Sequence, residues 1–149
     1  MKLRLIVVGR GAAELDAYER RFLERIQPFA RCSIHELPEG RARQPSQRLQ
    51  EEARRTLEKA GGRFILFDER GRTMPSQGWA DWLARQPGGA AVDFVIGGAG
   101  GTAVELRQAA DEVWSLSTLT LSHQLVRIVV LEQLYRALTI LHGHPYHHA

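Results

Sequence analysis

Residues able to do chemistry gather in three stretches of this chain. The first is Gly97-Gly98-Ala99-Gly100-Gly101-Thr102, between an apolar β-branched segment and a helical pattern. Such a loop lets backbone approach a ligand closely, and the N–H groups of a following helix point at it. Gly98, Gly100 and Ala103 match the spacing of a dinucleotide-binding fingerprint, but the loop follows the fourth strand-like segment rather than the first. No Gly-Lys-Ser/Thr follows, which excludes a Walker loop. A tight turn without a ligand is the other reading. The second stretch, Trp114-Ser115-Leu116-Ser117-Thr118-Leu119-Thr120-Leu121-Ser122-His123, is dense in small hydroxyls. It can offer backbone and hydroxyl groups to a purine edge or ribose, or cap the next helix at Ser122. The third is the tail His142-Gly143-His144-Pro145-Tyr146-His147-His148-Ala149. Beside an RNA base its histidines and tyrosine suit proton transfer or stacking. As metal ligands on a terminus without carboxylates or cysteines they are poorly preorganised, so no metal is expected. Glu132 and Arg136, four apart, fit a helical salt bridge. No paired carboxylates, Ser-His-Asp order or Cys-His combination suggests hydrolysis.

The elements that must position these stretches alternate between two periods. Leu3 to Val8 reads as a strand broken by Gly9 to Gly11, and Leu15, Tyr18, Phe22, Leu23 and Ile26 follow at helical spacing until Pro28. Cys32 to Leu37 alternates like a strand. Residues 41–47 are basic and polar and read as a mobile loop. Ser46 is placed to cap a helix carrying Leu49, Ala53, Leu57 and Ala60, with Gly61-Gly62 closing it. Arg63 to Asp68 reads as a buried strand, and Pro75-Ser76 opens a helix bearing Trp79, Trp82 and Leu83. Val92 to Ile96 is a further strand, and Thr102 with Glu105 reads as a capping box. Val113 to Leu116 is a last short strand before one long helix over 123–141. Strands separated by such helices indicate an α/β fold with a mostly parallel sheet flanked by helices, in one domain over 1–149. The long helix is apolar around most of its circumference, which calls for burial on more than one side and points to a homodimer.

Composition sets the outer limits. The 149 residues are 44% hydrophobic and 25% charged, ordinary for a globular protein, and the single cysteine excludes an intramolecular disulfide. No run approaches the ~18 apolar residues that cross a bilayer, and the opening Met1 to Gly9 is too short and too interrupted for a signal peptide. A cytoplasmic protein without a membrane partner is expected. The net charge of +3 divides unevenly: residues 1–72 hold 16 Lys+Arg against 11 Asp+Glu, and residues 73–149 hold 4 against 6. A basic N-terminal half suits a polyanion, although 18 of the 20 basic residues are Arg, as a general preference for arginine would also give.

Five segments in this order carry a resemblance: Val95-Ile96-Gly97-Gly98, the hydroxyl-rich run from Trp114 to Leu121, His123-Gln124-Leu125-Val126-Arg127, Glu132-Gln133-Leu134-Tyr135-Arg136-Ala137 and His144-Pro145-Tyr146-His147. Together they resemble the ribosomal large subunit pseudouridine N3-methyltransferases, small members of the SPOUT class. The resemblance covers nearly the whole chain and is strongest over 92–148. It implies a C-terminal trefoil knot, which general connection rules would never propose. It also implies S-adenosylmethionine as methyl donor, held by Phe67, Gly97, Gly98, Ser117, Thr118, Leu119, Thr120, Leu121 and Ser122. The implied substrate is a pseudouridine in helix 69 of 23S rRNA, on the assembled ribosome, and the implied assembly is a homodimer. His144, Tyr146, His147 and Arg136 become the candidates for the catalytic and RNA-contacting step. Three positions depart from the pattern: Ala99-Gly100 replaces a Pro-Glu pair, Ser122 replaces a proline before the histidine, and His148 replaces a basic residue. The first removes a carboxylate near the cofactor, and the last offers a weaker phosphate ligand than guanidinium. Two rival readings remain at this point. One is a nucleotide-binding oxidoreductase built on the glycine loop, and the other a non-catalytic knotted RNA-binding or ribosome-assembly module.

Overall fold

The computed structural model describes residues 1–61 and 63–148. Five strands, β1 (Lys2–Val8), β2 (Arg31–Leu37), β3 (Phe64–Arg72), β4 (Ala91–Ile96) and β5 (Glu112–Trp114), alternate with five helices. The helices are α1 (Asp16–Ile26), α2 (Pro45–Ala60), α3 (Ser76–Ala84), α4 (Val104–Ala109) and α5 (His123–Leu141). The strands form one sheet in the order β2-β1-β4-β3-β5, and every pairing is parallel. The α/β, mostly parallel arrangement read from the sequence is therefore present.

Period-two alternation in the strands divides the core into two layers. Leu3, Leu5, Val7, Ile65, Phe94 and Ile96 face α1, α3 and α5. Ile6, Phe64, Leu66 and Val95 face α2 and α4. Arg4 interrupts the first apolar run without cost, because its guanidinium donates to both oxygens of Asp93, its register neighbour on β4, at 2.7 Å each. Buried on both faces, such strands read as near-continuous apolar runs.

The helix starts differ from the sequence reading. Helix α2 begins at Pro45 with Gln44 as N-cap and no side-chain cap, so Ser46 does not cap it. A proline at the first helical position lacks the N–H a cap would serve and already has helical φ. Helix α4 begins at Val104 after Ala103 rather than in a Thr102–Glu105 box. The Thr102 hydroxyl donates instead to Asp68 Oδ2 at 2.6 Å. Gly61 closes α2 in the left-handed conformation at φ 65°, while Gly62, read with it, lies outside the described residues, as does Ala149. The stretch 41–47 is not a mobile loop: residues 45–47 are the first turn of α2, and α2 side chains hold the backbone of 41–43.

Helix α5 has the predicted bounds, His123–Leu141, and lies across α1 and α3. Its buried side includes Val130, Leu131, Leu134 and Leu138. Leu125 remains 49% exposed, and Ile128 and Val129 are half-buried.

Candidate functional site

Because all five strands run the same way, the connections that follow them emerge at one edge of the sheet. The connections leaving β1 and β4, neighbours in the sheet, pass to opposite faces, one into α1 and the other into α4. In open α/β sheets, ligands bind beyond the carboxyl ends of strands beside such a switch. A cleft of about 860 Å³ lies at that edge. Its walls are residues 67–70 from the end of β3, residues 96–102 from β4 and its loop, and residues 115–117 and 119–124 before and into α5, with Leu49 of α2 at one side.

The glycine loop is shaped by close packing. A Cβ on Gly97 would lie 2.7 Å from the Thr102 methyl and 2.9 Å from Gly101 O, and Gly101 holds φ at 87°. A Cβ on Gly98 would meet Val8 Cγ1 at 3.0 Å, so a side chain there would require Val8 on β1 to give way, while the Gly98 backbone borders the cleft. Opposite it, Ser115 Oγ donates to Ser117 O at 2.7 Å, and Ser117 Oγ accepts from Leu119 N at 3.0 Å. Those hydroxyls fix the turn and leave backbone groups free to face a ligand. Thr120 Oγ1 donates to Glu69 at 3.0 Å, joining the two walls. Ser122 stands at the N-cap of α5 with no side-chain cap bond.

Strand β3 continues past its expected end, with a register shift between Phe67 and Arg72 against β5. Gly71 permits this: a Cβ there would lie 2.5 Å from the Val113 backbone. The irregularity carries Asp68 toward the glycine loop. Burial alone would raise the Asp68 carboxyl. The Thr102 hydroxyl, the Arg70 N–H and the charges of Arg70 and Arg107 outweigh that and hold it below the usual carboxylate range. An ionised carboxylate therefore borders the cleft from β3, on a chain whose glycine loop carries none. Asp68, Glu69, Arg70 and Arg107 were not singled out from the sequence as site residues. The available signal was the position of Asp68 at the carboxyl end of a buried strand.

Eight of the nine expected cofactor residues line the cleft; Thr118 alone does not. The four catalytic candidates stand elsewhere. The α5 part of the wall ends at Val126. Tyr146 donates its hydroxyl to Glu132 at 3.1 Å and packs edge-on against Tyr135, with centroids 4.6 Å apart. Glu132 is six residues beyond Val126, roughly 9 Å along the helix. Arg136 Nε donates to Glu132 at 3.0 Å, its Nη1 lies 3.0 Å from His147 Nδ1, and its guanidinium sits over the Tyr146 ring. His144 packs edge-on to Phe29. The tail is thus folded back on α5 rather than frayed. Burial first, then Glu132, raises the Tyr146 phenol, which makes it a donor rather than a base.

The residue that ties the cleft wall to the rest of the fold is Arg127, 3% exposed. Its Nε and Nη2 donate to both oxygens of Glu19 on α1 at 2.8 and 2.9 Å, and its Nη1 donates to Glu36 at 2.7 Å. Glu36 also accepts from Gly11 N at 2.7 Å. Burial would raise the Glu36 carboxyl, but Arg127 and Gly11 together hold it low. Among the described residues no group of three or more His, Cys, Asp or Glu is placed to hold a metal ion, and no helix is long and apolar enough to cross a membrane.

A parallel sheet with a glycine loop and a backbone-lined cleft at its carboxyl edge places the chain in the open-sheet α/β class. Comparison with known proteins gives the class a family: the profile described as "Predicted SPOUT methyltransferase" matches residues 1–147, and the chain belongs to the SPOUT methyltransferases. It is 40% identical to the ribosomal RNA large subunit methyltransferase H of Gloeobacter violaceus, over 99% of each chain. The proteins of that name from Xanthobacter autotrophicus and Bradyrhizobium diazoefficiens are 42% and 44% identical, over the full length of both chains.

Proposed function

We propose that this protein transfers a methyl group from S-adenosylmethionine to N3 of a pseudouridine in helix 69 of 23S rRNA. It acts on the ribosome, in the cytoplasm, as a homodimer of single domains spanning 1–149 whose C-terminal part is tied in a trefoil knot. The observation that carries this reading is the cleft at the carboxyl edge of the sheet, where eight of the nine residues expected to hold the cofactor meet. The names of the full-length relatives, all ribosomal RNA methyltransferases, support the substrate class.

The cleft's donor set fits S-adenosylmethionine. Backbone groups of 97–101 and 115–122 suit the edges of an adenosine. Asp68 and Glu69, beside Arg70 and Arg107, suit a tail bearing both an ammonium and a carboxylate. The bound cofactor supplies a methyl group already activated by its sulfonium, so the protein's work is alignment and exclusion of water. The glycine loop and the 115–122 turn hold one reactant, braced by Arg127 against α1 and β2. His144, Tyr146, His147 and Arg136 serve the RNA side. Because they stand outside the cleft of their own chain, a complete site takes the tail of a second copy, and the half-buried Ile128 and Val129 beside exposed Leu125 offer the seam. Tyr146, kept protonated with its one proton given to Glu132, is not the base, which leaves a histidine to receive the N3 proton.

Transfer of labelled methyl from S-adenosylmethionine, compared on assembled large ribosomal subunits and protein-free 23S rRNA, tests this. Label on N3 of a helix 69 pseudouridine in the ribosomal sample is the expected result. Binding to ribosomes without transfer would assign the protein instead as a knotted RNA-binding or assembly module.

A further inference from the structure

The connection from β2 to α2 is held in an unusual way. Each of the six residues 38–43 has a backbone group bound by an α2 side chain. Arg55 Nη1 donates to Pro38 O at 3.0 Å and Glu39 O at 3.1 Å. Glu52 accepts from Gly40 N at 2.8 Å, and Glu51 from Arg41 N at 2.9 Å. Arg48 Nη1 donates to Ala42 O and Arg43 O at 2.9 Å each. A Cβ on Gly40 would lie 2.5 Å from Arg48 O, so only glycine lets the loop lie this close to the helix. The loop buries no large apolar side chain that would account for such bracing. What it presents are the exposed side chains of Arg41 and Arg43, neither with a carboxylate within salt-bridge distance among the described residues.

Position gives these arginines their meaning. Strand β2 is parallel to β4, with only β1 between them, so its exit loop stands on the same edge as the cleft, about 10 Å across at ~4.8 Å per strand. The two share a wall: Leu49, one residue past Arg48, lines the cleft, and its Cδ2 lies 3.5 Å from where a Cβ on Gly100 would sit. Arg10, exposed in the exit loop of β1, stands between them along that edge.

We propose that residues 38–43 form a preorganised rim that grips the RNA phosphate backbone, with Arg41 and Arg43 as the contacting side chains. This rests on the reading of the protein as an RNA methyltransferase and names how that substrate is held. A guanidinium binds phosphate oxygens in pairs. A loop fixed before the RNA arrives has little ordering entropy left to lose on binding. Such contacts set the register of the RNA over the cleft and carry no base information.

The test compares binding to isolated large ribosomal subunits and to protein-free 23S rRNA, at several salt concentrations, for the intact protein, Arg41→Ala/Arg43→Ala, and Arg31→Ala/Arg85→Ala. The last pair removes the same charge from the ends of β2 and α3 at the opposite edge. Loss of two phosphate contacts should weaken binding of both RNAs about tenfold at moderate salt, and should lower the slope of log K against log salt by about 1.5. Arg41→Lys/Arg43→Lys should restore most of the slope. Unchanged binding, or an equal loss in the opposite-edge variant, overturns the rim. A loss on subunits but not on protein-free rRNA also overturns it, pointing to an acidic ribosomal protein. Methyl transfer by the intact protein, measured alongside, reads the function separately. Activity with an unchanged salt slope sinks the rim alone, and a lost slope without activity sinks the methyltransferase reading alone.

Discussion

Replacing Arg127 with leucine should be among the most damaging single changes outside the apolar core. The guanidinium is 3% exposed and is the hydrogen-bond partner of both oxygens of Glu19, itself 6% exposed. Arg127→Leu leaves that carboxylate buried without a partner, and breaking a buried pair in this way costs ~3–5 kcal/mol. For a chain of this size each kcal/mol moves Tm by about 2–4 °C, so the midpoint should fall by roughly 6–20 °C. With a urea m-value near 2 kcal/mol/M, the unfolding midpoint should drop by about 2 M. Adding Glu19→Gln removes the orphaned charge and should recover at least half the loss. Arg136→Ala, which breaks a partly exposed pair with Glu132, should cost ~1 kcal/mol or less. Equilibrium urea denaturation at one fixed protein concentration reads all three, since dimerisation would otherwise shift the midpoints. An Arg127→Leu loss below 1 kcal/mol, or a double variant no better than the single, would refute the assignment of this network as the brace of the cleft wall.

Gly98→Val should destabilise the fold by about 1–3 kcal/mol through its clash with Val8. Thermal melts would show this directly, and an unchanged Tm would mean the loop can shift away from β1. Light scattering should give about twice the 16.8 kDa chain mass; a monomer at micromolar concentration would remove the composite site. Deleting residues 144–149 should leave cofactor affinity by calorimetry nearly intact while methyl transfer to ribosomes falls at least tenfold, ~1.4 kcal/mol of transition-state stabilisation. Equal losses of both would place the tail in the cofactor cleft. Burial pushes the Cys32 thiol up to about 12, so the folded protein should resist thiol reagents at pH 8 and react only when unfolded. Because the unfolded thiol ionises near pH ~8.5 and the folded one does not, stability should decline as pH rises beyond that value. Rapid labelling of the native protein would contradict both.

The parts of this molecule that were legible in the sequence are those set by local pattern. The glycine loop, the hydroxyl-rich turn and the bounds of α5 follow from residue types at short spacing, and the resemblance joined them before any geometry was known. What escaped depended on distant partners. Thr102 reads as a helix cap until Asp68, 34 residues earlier, takes its hydroxyl. The extension of β3 rests on Gly71, whose need appears only when β5 passes within contact of it. The stretch 41–47 has the composition of a mobile segment, yet its last three residues open α2, whose side chains hold 42 and 43. The tail has the composition of a frayed end, yet Tyr146 finds Tyr135 and Glu132 on a helix already passed. Arg127 reads as one letter of a motif, and its partners lie 108 and 91 positions upstream.

That separation bears on how the protein is made. Glu19 and Glu36 leave the translating ribosome long before Arg127, and residues 115–124, which close one wall of the cleft, are followed by only 25 more. A nascent chain can assemble five parallel strands and four helices, yet it has no closed cleft until the last helix docks and Arg127 neutralises the two waiting carboxylates. Contacts between chain ends this far apart form late. A product cut short before α5 therefore carries a glycine loop facing solvent, and Glu19 and the apolar faces of α1 and α3 that α5 covers are left open. Such a fragment lacks one wall of the cleft and exposes an apolar face, the kind of surface that proteases find open.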